Sequence, residues 1–316
     1  MTARRWLDEG GVFIALALVL VLFGLLIGPR FFSASNLELI ARHAAVVCVA
    51  AYGMTMVIAS GGIDLSVGSM VALSTVVTAL LLGSGAPPAG ALLGAVLACA
   101  AFGAFNGVLI TRLRVVPFIV TLGTMLLIRG AAKGLANERR VEAPMSWLNE
   151  LMRSTAGGSG FLLPWGVWMA LILAALIAAV LHYTKFGRHL FAIGSSERTA
   201  RLCGVRVDRA KVAVYTVSAA LAGLAGVMEF AKLSVGDPTV SVGLELSVIA
   251  AVIIGGGSLS GGRGTITGTL AGAAMMTVIQ VGCSQQGLPN WVQEIVTGTI
   301  IVGAVGLDHW RRRTRA

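Results

Sequence analysis

A chain of 316 residues that is 56% hydrophobic and only 12% charged cannot hide its apolar surface in a soluble packing, because soluble domains carry about 25% charged residues. A net charge of +10 is compatible with nucleic-acid binding, but Lys and Arg also gather in the cytoplasmic loops of membrane proteins, and no nucleic-acid partner is expected. The expectation is an all-α polytopic membrane protein, set in the lipid bilayer as one transmembrane domain over 1–316.

Crossing a hydrocarbon core takes roughly 20 mostly apolar residues. In chain order such runs lie near 11–28, 41–59, 66–83, 90–111, 116–133, 163–182, 212–231, 244–257, 265–282 and 292–307, which makes about ten predicted spans. The first follows Arg4 and Arg5 and meets no small-residue cleavage site before Gly28, Pro29 and Arg30, so it reads as an uncleaved span. The third is separated from the second only by 60–65, and the eighth is short and runs into glycines. With the N-terminus inside, 16 of the 24 basic residues fall on the cytoplasmic side. That bias places both termini in the cytoplasm. The external loop 134–162 holds the amphipathic "MSWLNELM" and a glycine-rich exit, read as a surface helix or a docking surface for an external partner.

Between the second and third spans stands "GGIDLSVG", residues 61–68. Gly61 and Gly62 permit a sharp reversal. Asp64 would cost about 2.5–3.5 kcal/mol at the bilayer centre, so it belongs near the inner face or inside protein. There Asp64 or Ser66 caps the next helix; direct contact with a solute or ion is the alternative. A similar order of residues returns in "IIGGGSLSGGRGTITG", 253–268. Internal repeats are common in transporters, although glycine-rich helix packing gives the same look. Ser66, Ser69, Asn106, Thr121, Thr124, Thr277 and Gln280 are neutral polar residues within spans. They suit interhelical hydrogen bonds and, as a set, a pathway for a neutral polar solute.

Nothing in the chain resembles a catalytic centre. There is no G-x-x-x-x-G-K-[ST] loop for a nucleotide, and His43, His182, His189 and His309 are dispersed. Glu229, Glu245 and Glu294 are placed near outer ends of spans, not in the deep series that a proton relay needs. Cys48, Cys99, Cys203 and Cys283 have no metal or redox spacing and read as small hydrophobes. No cofactor or metal is expected on this chain.

Charge concentrates in the cytoplasmic coupling loop, 183–211, within which "AIGSSERTARLCGVRVDRAK" (192–211) carries seven charged residues in twenty. Ser195 or Ser196 makes a helix N-cap, Glu197 suits the positive helix end, and Gly204 terminates the helix. The two turns left, Glu197–Cys203, span roughly 10 Å. A helix that short is marginal in water and has to dock. The dock can be the protein's own inner surface, but Arg198 and Arg201 with apolar Ala200, Leu202 and Cys203 also suit a protein partner.

"GRHLFAIGSSERTARLCGV" (187–205) resembles the cytoplasmic coupling helix of ABC-importer permeases of the ribose/monosaccharide branch. So do "GGIDLSVG", "FNGVLITRLRVVPFIVTLGTM" (105–125), "ELSVIAAVIIGGGSLSGGRGTITGTLAGA" (245–273) and "QQGLPNWVQEIVTGTIIVGAVGLD" (285–308), in the family's order. Departures are Ser195-Ser196 for the usual Gly-Asn and Cys203 for Ser. The resemblance implies a non-catalytic permease subunit that moves a monosaccharide or sugar-like solute across the bacterial plasma membrane. Implied partners are a second permease copy or related permease, ABC ATPase subunits carrying ATP and Mg, and an extracytoplasmic sugar-binding protein. By motif match it assigns coupling to Gly194, Ser195, Ser196, Glu197, Arg198, Thr199, Ala200, Arg201, Leu202, Cys203 and Gly204. Gly61, Gly62, Asp64, Ser66, Asn106, Thr121 and Thr124 are the structural or pathway candidates. The rival reading is a self-contained secondary transporter or channel, against which stands the missing series of buried ionisable groups.

Overall fold

The computed structural model describes residues 2–155 and 163–313, so the glycine-rich exit at 156–160 and Arg315 lie outside the described residues. Helix α1 (Thr2–Ile27) leads through a 3-10 turn, Pro29–Phe32, into α2 (Ala34–Ala59), α3 (Val67–Gly83), α4 (Pro88–Leu113) and α5 (Pro117–Leu135). The segment after α5 holds β1 (Val141–Glu142) and the single turn α6 (Trp147–Glu150). Then come α7 (Trp165–Tyr183), α8 (Lys185–Ser195), α9 (Glu197–Leu202), α10 (Val207–Leu233), β2 (Val235–Gly236), α11 (Leu244–Ile254), α12 (Ile266–Gln285) and α13 (Asn290–Arg313). Each predicted span falls on one of these helices. By length and composition seven of them can cross a membrane, while Val67–Gly83 and Leu244–Ile254 are apolar but shorter.

Local chemistry sets the boundaries. Pro88 and Pro117 open α4 and α5, where the missing N–H costs nothing and φ is already helical. Ser33 accepts from Asn36 N and starts α2 seven residues before the predicted 41. Thr184 and Thr265 cap α8 and α12 in the same way. The expected surface helix in "MSWLNELM" is a single turn, closed by reciprocal Ser146 and Asn149 bonds.

The core is built round α2, buried without a break from Ala45 to Ala59. Helices α10, α12, α11 and α7 pack on it, and α10 also lies along α3 and α4. Gly103 and Gly107 form a G-x-x-x-G pair that lets α4 reach α10. A Cβ on Gly103 would sit 2.4 Å from Tyr215 O, and one on Gly107 2.6 Å from Val212 Cα. Such close approach is how apolar helices gain packing energy in lipid, where the hydrophobic effect does not drive helices together. At one end of the bundle lie α8 and α9; at the other, β1 pairs antiparallel with β2 and Arg140 meets Asp237 at 3.0 Å.

One placement corrects the sequence reading. Glu245 does not sit near an outer span end. Gly236 packs against Thr75 O and Val76 of α3, whereas Ser241 O and the Glu245 carboxylate crowd Gly68, the second residue of that helix. Eight helical residues separate those levels, about 12 Å, so the chain dips back along α3 before α11 starts. With 11 residues, α11 is roughly 16 Å long, about half of a ~30 Å hydrocarbon core.

Candidate functional site

The charged loop folds into two helices joined at Ser196. Of the two candidate caps it is Ser196 that works: its Oγ accepts from Thr199 N at 3.3 Å, and Gly204 ends the helix at φ +83°. Sequence reading missed α8, whose Gly187, Leu190 and Ile193 are buried on one face. The apolar residues of α9 divide. Ala200 is buried with Ile193, Val207 and Ala210, whereas Leu202 is 82% exposed and Cys203 is exposed. Ala200 is therefore part of the foot of α9, not of a partner-facing surface.

Charge holds that foot in place. Arg201 meets Glu197 at 2.9 Å and Asp208 at 2.6 Å, and Lys211 meets Glu197 at 2.6 Å. The hydrogen bond from Arg201 holds the Asp208 carboxyl below the usual carboxylate range, and Asp208 in turn raises the Arg201 guanidinium. Exposed pairs of this kind contribute about 0–1 kcal/mol each, but two of them, Arg201–Asp208 and Lys211–Glu197, tie α9 to the first two turns of α10. This corrects the expectation for Arg201, whose charge is spent inside the chain. Arg198 is exposed and makes no ion pair among the described residues. The i,i+4 spacing of Glu197 and Arg201 was visible in sequence; the reach across Gly204 to Asp208 was not.

Behind α9, three backbones meet. A Cβ on Gly194 would lie 2.0 Å from Ala59 O and 2.4 Å from Gly262 N. One on Gly261 would lie 2.7 Å from Gly194 O and 2.9 Å from Gly61 Cα. Gly262 N donates to Ala59 O at 3.0 Å. The two similar stretches, 61–68 and 253–268, thus touch each other and the end of α8. Deeper between them, the Thr55 and Thr269 hydroxyls bond at 2.8 Å.

Beside this junction the pathway candidates form a buried polar cluster. Asp64 is fully buried, and its Oδ1 accepts from Ser66 N at 2.9 Å and from Ser66 Oγ. Asn106 Nδ2 donates to Ser66 Oγ at 3.0 Å. Thr121 Oγ1 and Tyr215 Oη both donate to Ile63 O, at 3.2 and 3.3 Å. Gly62 leaves room for the Tyr215 hydroxyl. Ser66 occupies the N-cap position of α3 but makes no side-chain cap bond, because its backbone is already helical at φ −81° and ψ −5° and not in the extended form from which a cap oxygen reaches the free N–H groups. The cluster ties α3, α4, α5 and α10 together. Thr124 stands apart, bonding only the Thr121 carbonyl of its own turn. Among the other polar span residues, Ser69 and Thr277 are buried and Gln280 donates to Ser247 Oγ at 3.0 Å. Among the described residues no group of three or more His, Cys, Asp or Glu is placed to hold a metal.

The model of one protein family, "Branched-chain amino acid transport system / permease component", matches residues 36–305. The chain belongs to this permease family. The permease is 38% identical over 306 residues to the ribose import permease protein RbsC of Escherichia coli K12, covering 97% of this chain and 95% of that one. It is 36% identical over 288 residues to the L-arabinose ABC transporter permease protein AraH of Azospirillum brasilense, covering 91% and 84%. With the fructose import permease protein FrcC of Rhizobium meliloti it shares 34% over 310 residues, covering 96% and 86%. No solved structure matches it. As a permease component the chain is a non-catalytic membrane subunit.

Proposed function

We propose that this chain is the membrane-spanning subunit of an ATP-driven importer for a monosaccharide or sugar-like solute in a bacterial plasma membrane. The chain crosses ten times, the eighth time through the descending segment 237–243 and α11 together, with both termini and α9 in the cytoplasm. Two permeases, as a homodimer or a related pair, enclose the path. A soluble sugar-binding protein delivers solute from outside, and separate ATPase subunits hold ATP and Mg. Similarity to ribose, arabinose and fructose permeases supports the solute class.

The observation that carries the reading is α9. It is a six-residue helix, too short to stand alone, with a buried, ion-paired foot and Leu202 82% exposed at its tip. A cleft in the ATPase covers that tip. When nucleotide closes the ATPase pair, α9 moves with it, and the glycine contact passes the motion to the breaks after α2 and α11. Function and topology are tested together. Purified with its partners in proteoliposomes, the chain is expected to accumulate a monosaccharide only with ATP, and vanadate abolishes uptake. Accumulation by the lone chain under a proton gradient would instead establish the secondary-transporter reading. For topology, Cys203→Ser removes the exposed native thiol. In that background Ser196→Cys reacts with impermeant thiol reagents only from the cytoplasmic side and Ser154→Cys only from outside. Reversed labelling overturns the orientation and the docking of α9.

A further inference from the structure

The dip after β2 brings ionisable groups to a depth where lipid does not tolerate them. Arg129, eighteen ångströms or so from the start of α5 at ~1.5 Å per residue, donates from Nη1 to Pro238 O at 3.1 Å and Val240 O at 2.7 Å. Both carbonyls belong to the descending segment. Glu245, in the first turn of α11, accepts from Gly243 N through Oε1 at 3.3 Å. Its Oε2 is buried and has no hydrogen-bond partner among the described residues. The guanidinium and the carboxylate lie close enough to feel each other's charge. Beside them Val242 is 76% exposed and Leu246 48%, so this level of the chain lies open on one side. Ionisable residues inside spans face a bundle interior or a water-filled cavity, not lipid. Backbone without helical pairing at membrane depth is likewise tolerated only where protein covers it or it lines such a cavity.

We infer that residues 237–243 and the start of α11 form the polar constriction of the solute path, with Glu245 the acceptor for a sugar hydroxyl and Arg129 the positioning residue that holds the segment on α5. This rests on the sugar-importer reading. The chemistry suits a neutral polyol. A carboxylate oxygen without a donor accepts from a hydroxyl, and the nearby Glu245 and Asp237 carboxylates balance the arginine's charge, so no excess cation is left to draw an anion. The broken helix at mid-depth is where alternating-access proteins place such sites.

The complete reconstituted complex tests it in two arms. In the first, Cys203→Ser chains carrying Ser241→Cys or Ile172→Cys, the latter on the exposed face of α7, meet a charged methanethiosulfonate. Ser241→Cys is expected to react at least tenfold faster, and Arg129→Met to change its rate several-fold while Arg129→Lys restores it. Equal rates for Ser241→Cys and Ile172→Cys overturn the path whatever the chain transports. In the second arm, labelled D-ribose, L-arabinose and D-fructose are offered with ATP. Glu245→Gln keeps an acceptor oxygen and raises KM several-fold at unchanged maximal rate; Glu245→Leu lowers uptake at least tenfold. An unchanged KM in both variants overturns the role of Glu245. Fast labelling of Ser241→Cys beside a Cys203→Ser parent complex that accumulates none of the three sugars refutes the role given to Glu245 toward these sugars, and leaves the water path standing.

Discussion

Gly194→Val is expected to reduce ATP-driven uptake to a few per cent of the wild-type rate while the chain still inserts and its partners' basal ATP hydrolysis continues. Even a single added methyl has nowhere to go. Its carbon would lie 2.0 Å from one backbone atom and 2.4 Å from another, and neither is the end of a flexible side chain. Valine adds two further carbons. Overpacking costs typically 1–3 kcal/mol, and forcing Ala59 and Gly262 apart also removes their hydrogen bond, about 1 kcal/mol. Together these reach roughly 3 kcal/mol, which at tenfold per 1.4 kcal/mol displaces the contact almost completely. The spans themselves are held elsewhere, by α2 against α10 and α12 and by the Asp64–Ser66–Asn106 cluster. The loss should therefore fall on coupling before assembly. Gly194→Ala, with the smaller clash, is expected to fall between. Gly130→Ala is the control. That glycine lies inside α5 with nothing within 4 Å of an added Cβ, and alanine gains up to about 1 kcal/mol of helix propensity there, so uptake should stay within twofold. Wild-type transport by Gly194→Val would show that the meeting of three backbones is packing without mechanical consequence.

How much of this was legible in the sequence depends on the range of the interaction. Hydropathy located the apolar helices because apolar length is a local property. Ser195 or Ser196 and Gly204 could be read as helix punctuation because caps and φ preferences act over a few residues. What could not be read were contacts between segments far apart. Nothing near Gly194 announces that Ala59 and Gly262 will lie against it, and glycine in "AIGSS" looks like any loop glycine. The ion pair of Arg201 with Asp208 crosses a turn whose geometry the sequence does not state. For Glu245 the span rule itself misled. It assumes that a span begins at the membrane surface, and a re-entrant segment followed by an 11-residue helix violates it. The short eighth apolar run with glycines behind it was the available signal, and only the packing of Ser241 and Glu245 on Gly68 gives it meaning.

The α9 foot yields the other large effect, and separates inward from outward roles. Ala200→Pro removes the N–H that donates to Ser196 O at 2.9 Å and puts a ring into the buried contact with Ile193 and Val207. Proline inside a helix costs roughly 3 kcal/mol, enough to melt two turns that are marginal already. Leu202→Asp leaves the helix nearly intact but takes away its exposed apolar side chain. Burying a leucine is worth about 1.5–3 kcal/mol, or roughly 10–100-fold in affinity. Both variants should insert normally yet lose co-purification with the ATPase. Arg201→Glu distinguishes the two routes. It sets a carboxylate between Glu197 and Asp208, so it is expected to loosen α9 and reduce ATPase binding from within the chain. Asp208→Arg in the same chain replaces the missing cation and should recover much of that binding. Were Arg201 instead a contact with the ATPase, the second substitution would lie on the wrong surface and rescue nothing.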